Sequence, residues 1–211
     1  MVLGANDGLL STGALLLGVD GAGASAEALL TAGVAALVAG ALSMALGEFV
    51  SVSSQRDVEQ ADRDLEAIEI ERNPEAETRE LRSIYRERGL SPELATQVAD
   101  ELMAHDPLGA HLRDELGLTH EQRARPVQAA LSSGVAFAVG ALVPLLVAVL
   151  LGGNAVAIAA ATVIGMVTLG CISAALGGAS IWRGAARVGI GGSIALVATY
   201  VIGLLFGTAT G

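Results

Sequence analysis

Apolar stretches of bilayer length occupy both ends of this chain, near residues 2–19 and 28–52 and again near 127–151, 154–177 and 187–208, with a long charged segment between the second and the third. A bilayer crossing takes about 20 apolar residues. Within hydrocarbon every backbone polar group must be paired internally, so uninterrupted apolar runs of this kind have the helix as their solution. The sequence therefore predicts an all-α membrane protein of five transmembrane helices, with a helical domain inserted between the second and third spans. Its segments are residues 1–54 for the first two spans, 55–125 for the inserted domain and 126–211 for the last three spans.

Charge is segregated in the same way. All 12 basic residues are Arg, and ten of them fall between Arg56 and Arg125, leaving only Arg183 and Arg187 elsewhere. Arg-rich connections stay cytoplasmic. The connection Asp20–Glu27 has no Arg, Gly152–Asn154 is uncharged and Trp182–Arg187 carries two, so the signs alternate consistently and place the inserted domain in the cytoplasm. That domain also holds 18 of the 22 acids. Such an excess argues against a nucleic-acid partner. The single Cys171 leaves neither a disulfide framework nor a cysteine metal site. No cleavable secretory signal is expected from an N-terminus without basic residues, and the expected location is a bacterial inner (plasma) membrane.

Two apolar stretches contain acids. Asp7 lies in the first and Glu48 in the second, and a carboxylate inside a bilayer is costly enough to imply a function. Asp7 has a second reading, as a helix cap at the water interface. Met44 and Glu48 are four apart and share a helix face. A thioether beside a carboxylate favours transition metals over Mg(II) or Ca(II), and the carboxylate can take a proton when the metal leaves. Ser11 and Thr12, about a turn beyond Asp7, add oxygens or bond back to helix carbonyls.

The inserted domain reads as a set of helices. Val58, Leu65 and Ile68 recur at helical spacing, as do Leu81 and Ile84, then Leu94, Val98 and Leu102. Asn73-Pro74 ends one helix, Gly89 closes the next, Ser91-Pro92 starts another, and a short fourth piece covers Leu108–Leu116. Glu66 and Glu69 are three apart, as are Glu77 and Glu80, so each pair shares a face. Together with Asp62 and Glu115 they form either a solvated acidic surface or a site for a hard or borderline divalent ion. His111 and Glu115, four apart, are a further ligand couple.

Enzymatic readings find no support. A di-iron carboxylate site needs repeated Glu-x-x-His units, and none occurs. No Walker loop, nucleophile elbow or zinc-protease motif is present. No prosthetic group is expected, so any metal is substrate.

Four segments, GANDGLLST at Gly4–Thr12, AGALSMALGEFVSVSSQRD at Ala39–Asp57, DELGL at Asp114–Leu118 and PVQAALSSGVAFAVGALVPLL at Pro126–Leu146, give the chain a resemblance to the vacuolar iron transporters and their yeast and bacterial relatives. That family exports Fe(II) and Mn(II) from the cytosol in exchange for protons. The resemblance implies a homodimer in the lipid bilayer, five spans per subunit and a metal path between the two first spans. It implies transport-site roles for Asp7 and Met44, and metal-gathering roles for Glu66, Glu69, Glu77, Glu80 and Glu115. Ala36 replaces a second-span glutamate of plant members, and His111 and Leu112 replace two methionines, which points to Glu48 and His111 as substitutes. The basic amphipathic lead-in that the family places before its first span is absent ahead of Asp7.

The expected function is thus proton-coupled export of Fe(II), with Mn(II) as a second substrate. Two alternatives stand beside it: a membrane-anchored metal buffer or sensor without transport, and a proton-driven carrier of another cation.

Overall fold

The computed structural model describes residues 2–118 and 124–210. They form eight helices: α1 (Val2–Gly21), α2 (Ala26–Arg72), α3 (Pro74–Glu87), α4 (Pro92–His105), α5 (Pro107–Asp114), α6 (Pro126–Leu150), α7 (Ala155–Leu176) and α8 (Ile181–Thr210). Five of them, α1, α2, α6, α7 and α8, are long and apolar enough to cross a membrane. The all-helical class and the number of spans are as the sequence predicts. α8 begins at Ile181, six residues before the expected start of the fifth span, because nothing from Trp182 to Arg187 breaks a helix. The chain divides into two compact units, Met1–Phe49 with Val127–Gly211, and Val50–Pro126. The division falls inside α2, which is one continuous 47-residue helix.

In the first unit α1 is the central element. Gly4 and Gly8 lie against the α6 backbone at Ser133, Phe137 and Ala141, and Gly140 of α6 lies against the Ala5 backbone. Gly13 meets Thr162 of α7, and Gly18 meets Gly203 of α8. Small residues at these positions let helix backbones approach, which matters where lipid tails remove any hydrophobic drive between helices. The same role falls to Gly165, Gly170, Gly189 and Gly192, which meet Leu9, Gly184, Val167 and Met166. The core between the helices is Leu16, Leu17, Leu29, Ala148, Ile158 and Leu196. Burial leaves α1 a narrow exposed strip at Leu3, Asp7, Ser11 and Leu15, four apart in succession.

The second unit is built on well-marked helix ends. Asn73 caps α3 by accepting from the Ala76 N–H at 3.3 Å, with Pro74 following it. Ser91 does the same for α4 with the Leu94 N–H at 3.3 Å, ahead of Pro92. Asp106 caps α5 through the Gly109 N–H at 3.0 Å. Ser91-Pro92 is the start signal the sequence displays, Asn73 and Asp106 are further caps that the structure adds, and each satisfies a backbone donor that helix geometry leaves free. Gly89, with φ of +97°, closes α3 in the left-handed conformation that glycine adopts without strain. Leu81, Ala99 and Ala110 form the small core, flanked by Ile84, Tyr85, Leu102 and Met103.

One face departs from expectation. Val58, Leu65 and Ile68 have the spacing of a buried stripe, yet all three are exposed. The less exposed positions of this part of α2 are Glu59, Arg63, Glu66 and Ile70, so a largely polar face is turned inward. Burying a carboxylate in preference to a leucine costs free energy unless the carboxylate has a task.

Candidate metal centre

Glu66 is the buried acid of that inward face, at 3% exposure. It meets His111, which is fully buried on α5, with the imidazole Nδ1 lying 3.1 Å from Glu66 Oε1. The same Nδ1 lies 2.9 Å from Glu115 Oε2, one turn further along the chain. Glu77 of α3 completes a group in which Glu66, Glu77 and His111 each place a ligand atom within 4.8 Å of the others. α2, α3 and α5 thus converge on one point. Their end signals put the residues there: Asn73-Pro74 turns the chain from Glu66 to Glu77, and the Asp106 cap starts the short helix that carries His111.

Electrostatics within this group are strained. Burial, followed by the charges of Glu115, Glu77 and Glu69, pushes the Glu66 carboxyl up to about 7, against the favourable influence of His111. Burial, and then Glu80, also raise Glu77. Five acids, Glu66, Glu69, Glu77, Glu80 and Glu115, therefore act on one another around a single imidazole. Two carboxylates compete for the one proton that Nδ1 can offer, Glu66 Oε1 has no hydrogen-bond partner, and His111 Nε2 is buried and unpartnered as well. Orphaned buried groups of this kind call for an explanation. A divalent cation bound there would supply it, since it would satisfy several oxygens at once and remove their mutual repulsion. Carboxylates with an imidazole suit Mn(II), Fe(II), Co(II) or Zn(II) better than the all-oxygen preference of Mg(II) and Ca(II).

The sequence candidates divide in consequence. Glu66, Glu77, His111 and Glu115 are brought together. Glu69 and Glu80 are exposed and reach the group through their charge. Asp62 is exposed. Asp7, Met44 and Glu48 belong to the other unit, where Asp7 and Glu48 are exposed and Met44 is half-buried. Ser11 Oγ donates to the Asp7 carbonyl at 2.6 Å, so this hydroxyl bonds back to its own helix. Thr12 is fully buried and its hydroxyl has no partner.

Sequence reasoning missed a second cluster beside the first. Asp114 accepts from Arg88 Nη1 at 2.6 Å, from Tyr85 Oη at 2.9 Å and from Arg113 Nη2 at 2.9 Å. Burial pushes the Asp114 carboxyl up, but these three donors outweigh it and hold the group below the ordinary carboxylate range. An open groove of about 590 Å3 is lined by Glu80, Ser83, Ile84, Glu87, Arg88, Asp114 and Glu115, so it joins this cluster to the ligand group. The only sequence signal was the adjacency of Asp114 to Glu115 in DELGL.

A pH dependence follows from Glu66. Its carboxyl titrates near 4.5 when unfolded and about 7 when folded, so between those values the folded state binds the extra proton. Stability of the metal-free protein then falls as pH rises from 5 to 7.5, by an upper bound of about 3 kcal/mol for such a shift. Asp114 has the opposite sign but acts at lower pH. Thermal unfolding followed by circular dichroism should give a higher melting temperature at pH 5.5 than at 7.5. Glu66→Gln should flatten the difference, and saturating Mn(II) at pH 7.5 should abolish it. Equal melting temperatures for the metal-free wild type would sink the assignment.

The pattern of the VIT family matches residues 1–204. Over 207 residues the chain is 44% identical to a vacuolar iron transporter of Acanthamoeba castellanii, covering 97% of this chain and 76% of that one. It is 38% identical over 208 residues to vacuolar iron transporter homolog 5 of Oryza sativa subsp. japonica, covering 97% and 78%. Identity to vacuolar iron transporter homolog 1 of Arabidopsis thaliana is 35% over 210 residues, covering 98% and 82%.

Proposed function

The chain belongs to the VIT family, and we propose that this membrane metal-ion transporter exports Fe(II), and with it Mn(II), from the cytosol in exchange for protons. Like its relatives, which are named as transporters, it is not an enzyme. The observation that carries the reading is Asp7. It stands in the middle of the exposed strip of an otherwise packed apolar helix, where lipid would impose a heavy penalty on an ionised carboxylate. A second copy of the chain, with its own α1 strip against this one, removes that penalty by enclosing the two aspartates. The proposed transporter is therefore a homodimer whose metal path runs between the first spans.

Each residue then has a task. The acids of the Val50–Pro126 unit raise the local concentration of cations, and Glu66, Glu77, His111 and Glu115 hold one of them. The Arg distribution supports a cytoplasmic position for this unit. Asp7 and Met44 bind the ion once it has lost water, the thioether favouring a transition metal. Glu48, one turn from Met44 on α2, accepts the returning proton. The membrane we assign is a bacterial inner membrane, whereas the relatives carry vacuolar names.

Purified protein reconstituted in liposomes with an internal pH dye provides the test. An Fe(II) gradient should drive proton movement in the opposite direction, and Mn(II) should compete. Metal uptake without proton movement would overturn the coupling. Metal binding without any flux would favour the buffer or sensor, and flux inhibited by organic cations but not by Co(II) would favour a carrier of another cation.

A further inference from the structure

His111 and Glu115 are carried at the end of an eight-residue helix, and a helix of that length is not stable alone. Something must fix its C-terminal turn. Asp114 lies between the two ligands in sequence, yet its side chain, only 8% exposed, turns away from them to Tyr85 and Arg88 at the end of α3. The bonding is two-sided. Arg88 Nη1 donates to Asp114 Oδ1 at 2.6 Å, while Nη2 donates to the main-chain carbonyl of Asp114 at 2.8 Å. That carbonyl is one of the last of α5, for which helix geometry provides no partner. Tyr85 Oη donates to Asp114 Oδ2 at 2.9 Å, and the Arg88 guanidinium lies 5.3 Å from the Tyr85 ring centroid. The planar guanidinium thus holds a side chain and a backbone oxygen of one residue at once, a geometry that fixes orientation as well as distance.

α3 is the helix that carries Glu77 and Glu80. The contact from its last turn to the last turn of α5 therefore joins two of the three helices that carry the group at one end. Asp114 itself, saturated by Arg88, Arg113 and Tyr85, has no free oxygen to offer a cation.

We propose that Tyr85, Arg88 and Asp114 are positioning residues for metal binding, a clamp that sets His111 and Glu115 opposite Glu77 and Glu66. The inference rests on the reading of Glu66, Glu77, His111 and Glu115 as a metal site. Outer partners that orient ligands typically change metal affinity by about 10- to 100-fold when removed, and the clamp should behave in the same way.

Mn(II) binding to the detergent-solubilised full chain, followed by equilibrium titration and by the EPR line shape of the bound ion, separates the two layers of argument. Arg88→Ala and Asp114→Asn should each weaken binding about tenfold, and the double variant no further than either alone. Bound Mn(II) should show a broadened spectrum in both. Arg88→Lys, which keeps the charge but cannot bridge two oxygens, should recover part of the affinity and not the line shape. Tyr85→Phe keeps the ring and its packing, so it remains informative if a harsher variant fails to fold; it should weaken binding about threefold, through the loss of one hydrogen bond to a carboxylate that Arg88 and Arg113 still hold. Glu66→Gln is the reference. Loss of binding in Glu66→Gln alongside wild-type affinity and line shape in folded Arg88→Ala, Asp114→Asn and Tyr85→Phe would overturn the clamp. Identical binding by wild type and Glu66→Gln would instead overturn the metal site.

Discussion

Asp7→Ala should reduce Fe(II)-driven proton flux in liposomes by about 100-fold or more, corresponding to roughly 3 kcal/mol of lost stabilisation of a desolvated cation. Two features make the effect large. The residue belongs to the exposed strip of α1, so no neighbouring acid of its own helix can substitute for it. Its hydrogen-bonded neighbour Ser11 is committed to a main-chain carbonyl and offers only a weak oxygen. Asp7→Asn keeps the size and removes the charge, and should be nearly as inactive. Asp7→Glu should retain measurable flux with altered selectivity. Because the binding group of the Val50–Pro126 unit is untouched, Mn(II) affinity measured by titration should persist in Asp7→Ala. Wild-type flux in that variant, at matched incorporation and orientation, would remove Asp7 from the transport site and with it the main support for a path along α1.

The sequence disclosed some layers of this structure and concealed others, for physical reasons. Apolar length and helix punctuation act locally, and so the five long helices, the break at Asn73-Pro74, the Ser91 cap and the break at Gly89 could all be placed from residue type. Glu66 and Glu77 could be named as candidates because paired acids share a helix face, but spacing cannot distinguish a solvated pair from a buried one. Tertiary packing makes that distinction: Glu66 is buried and Glu69, one turn away, is exposed. The same limit explains the exposed stripe of Val58, Leu65 and Ile68, where periodicity was right about the helix and wrong about its inward face. Asp114 was hidden for a related reason. A carboxylate adjacent to a candidate ligand looks like another candidate until the arginine 26 residues earlier is seen to occupy it.

Gly8→Val should destabilise the packing of the first unit. A side-chain carbon at Gly8 would fall within contact distance of the Phe137 carbonyl and 2.9 Å from the Ala141 nitrogen, both main-chain atoms of α6. Side chains can rotate away from an intruding methyl; a helix backbone cannot. The strain must be relieved by moving α1 as a whole, which breaks the neighbouring close approach of Gly140 to Ala5. Overpacking usually costs about 1–3 kcal/mol, and a backbone obstacle places this variant at or above the upper end. Thermal unfolding in detergent should show a melting temperature lowered by several degrees, roughly 2–4 °C for each kcal/mol in a chain of this size. Gly191→Ala on α8, where a side chain meets nothing within 4 Å, should be neutral or slightly stabilising through helix propensity. A Gly8→Val melting temperature equal to that of Gly191→Ala would refute close α1–α6 packing. The complementary variant Gly140→Val leaves α1 unaltered and should reproduce the instability; it should also lower flux, because the displaced helix carries Asp7 two residues from the Ala5 contact.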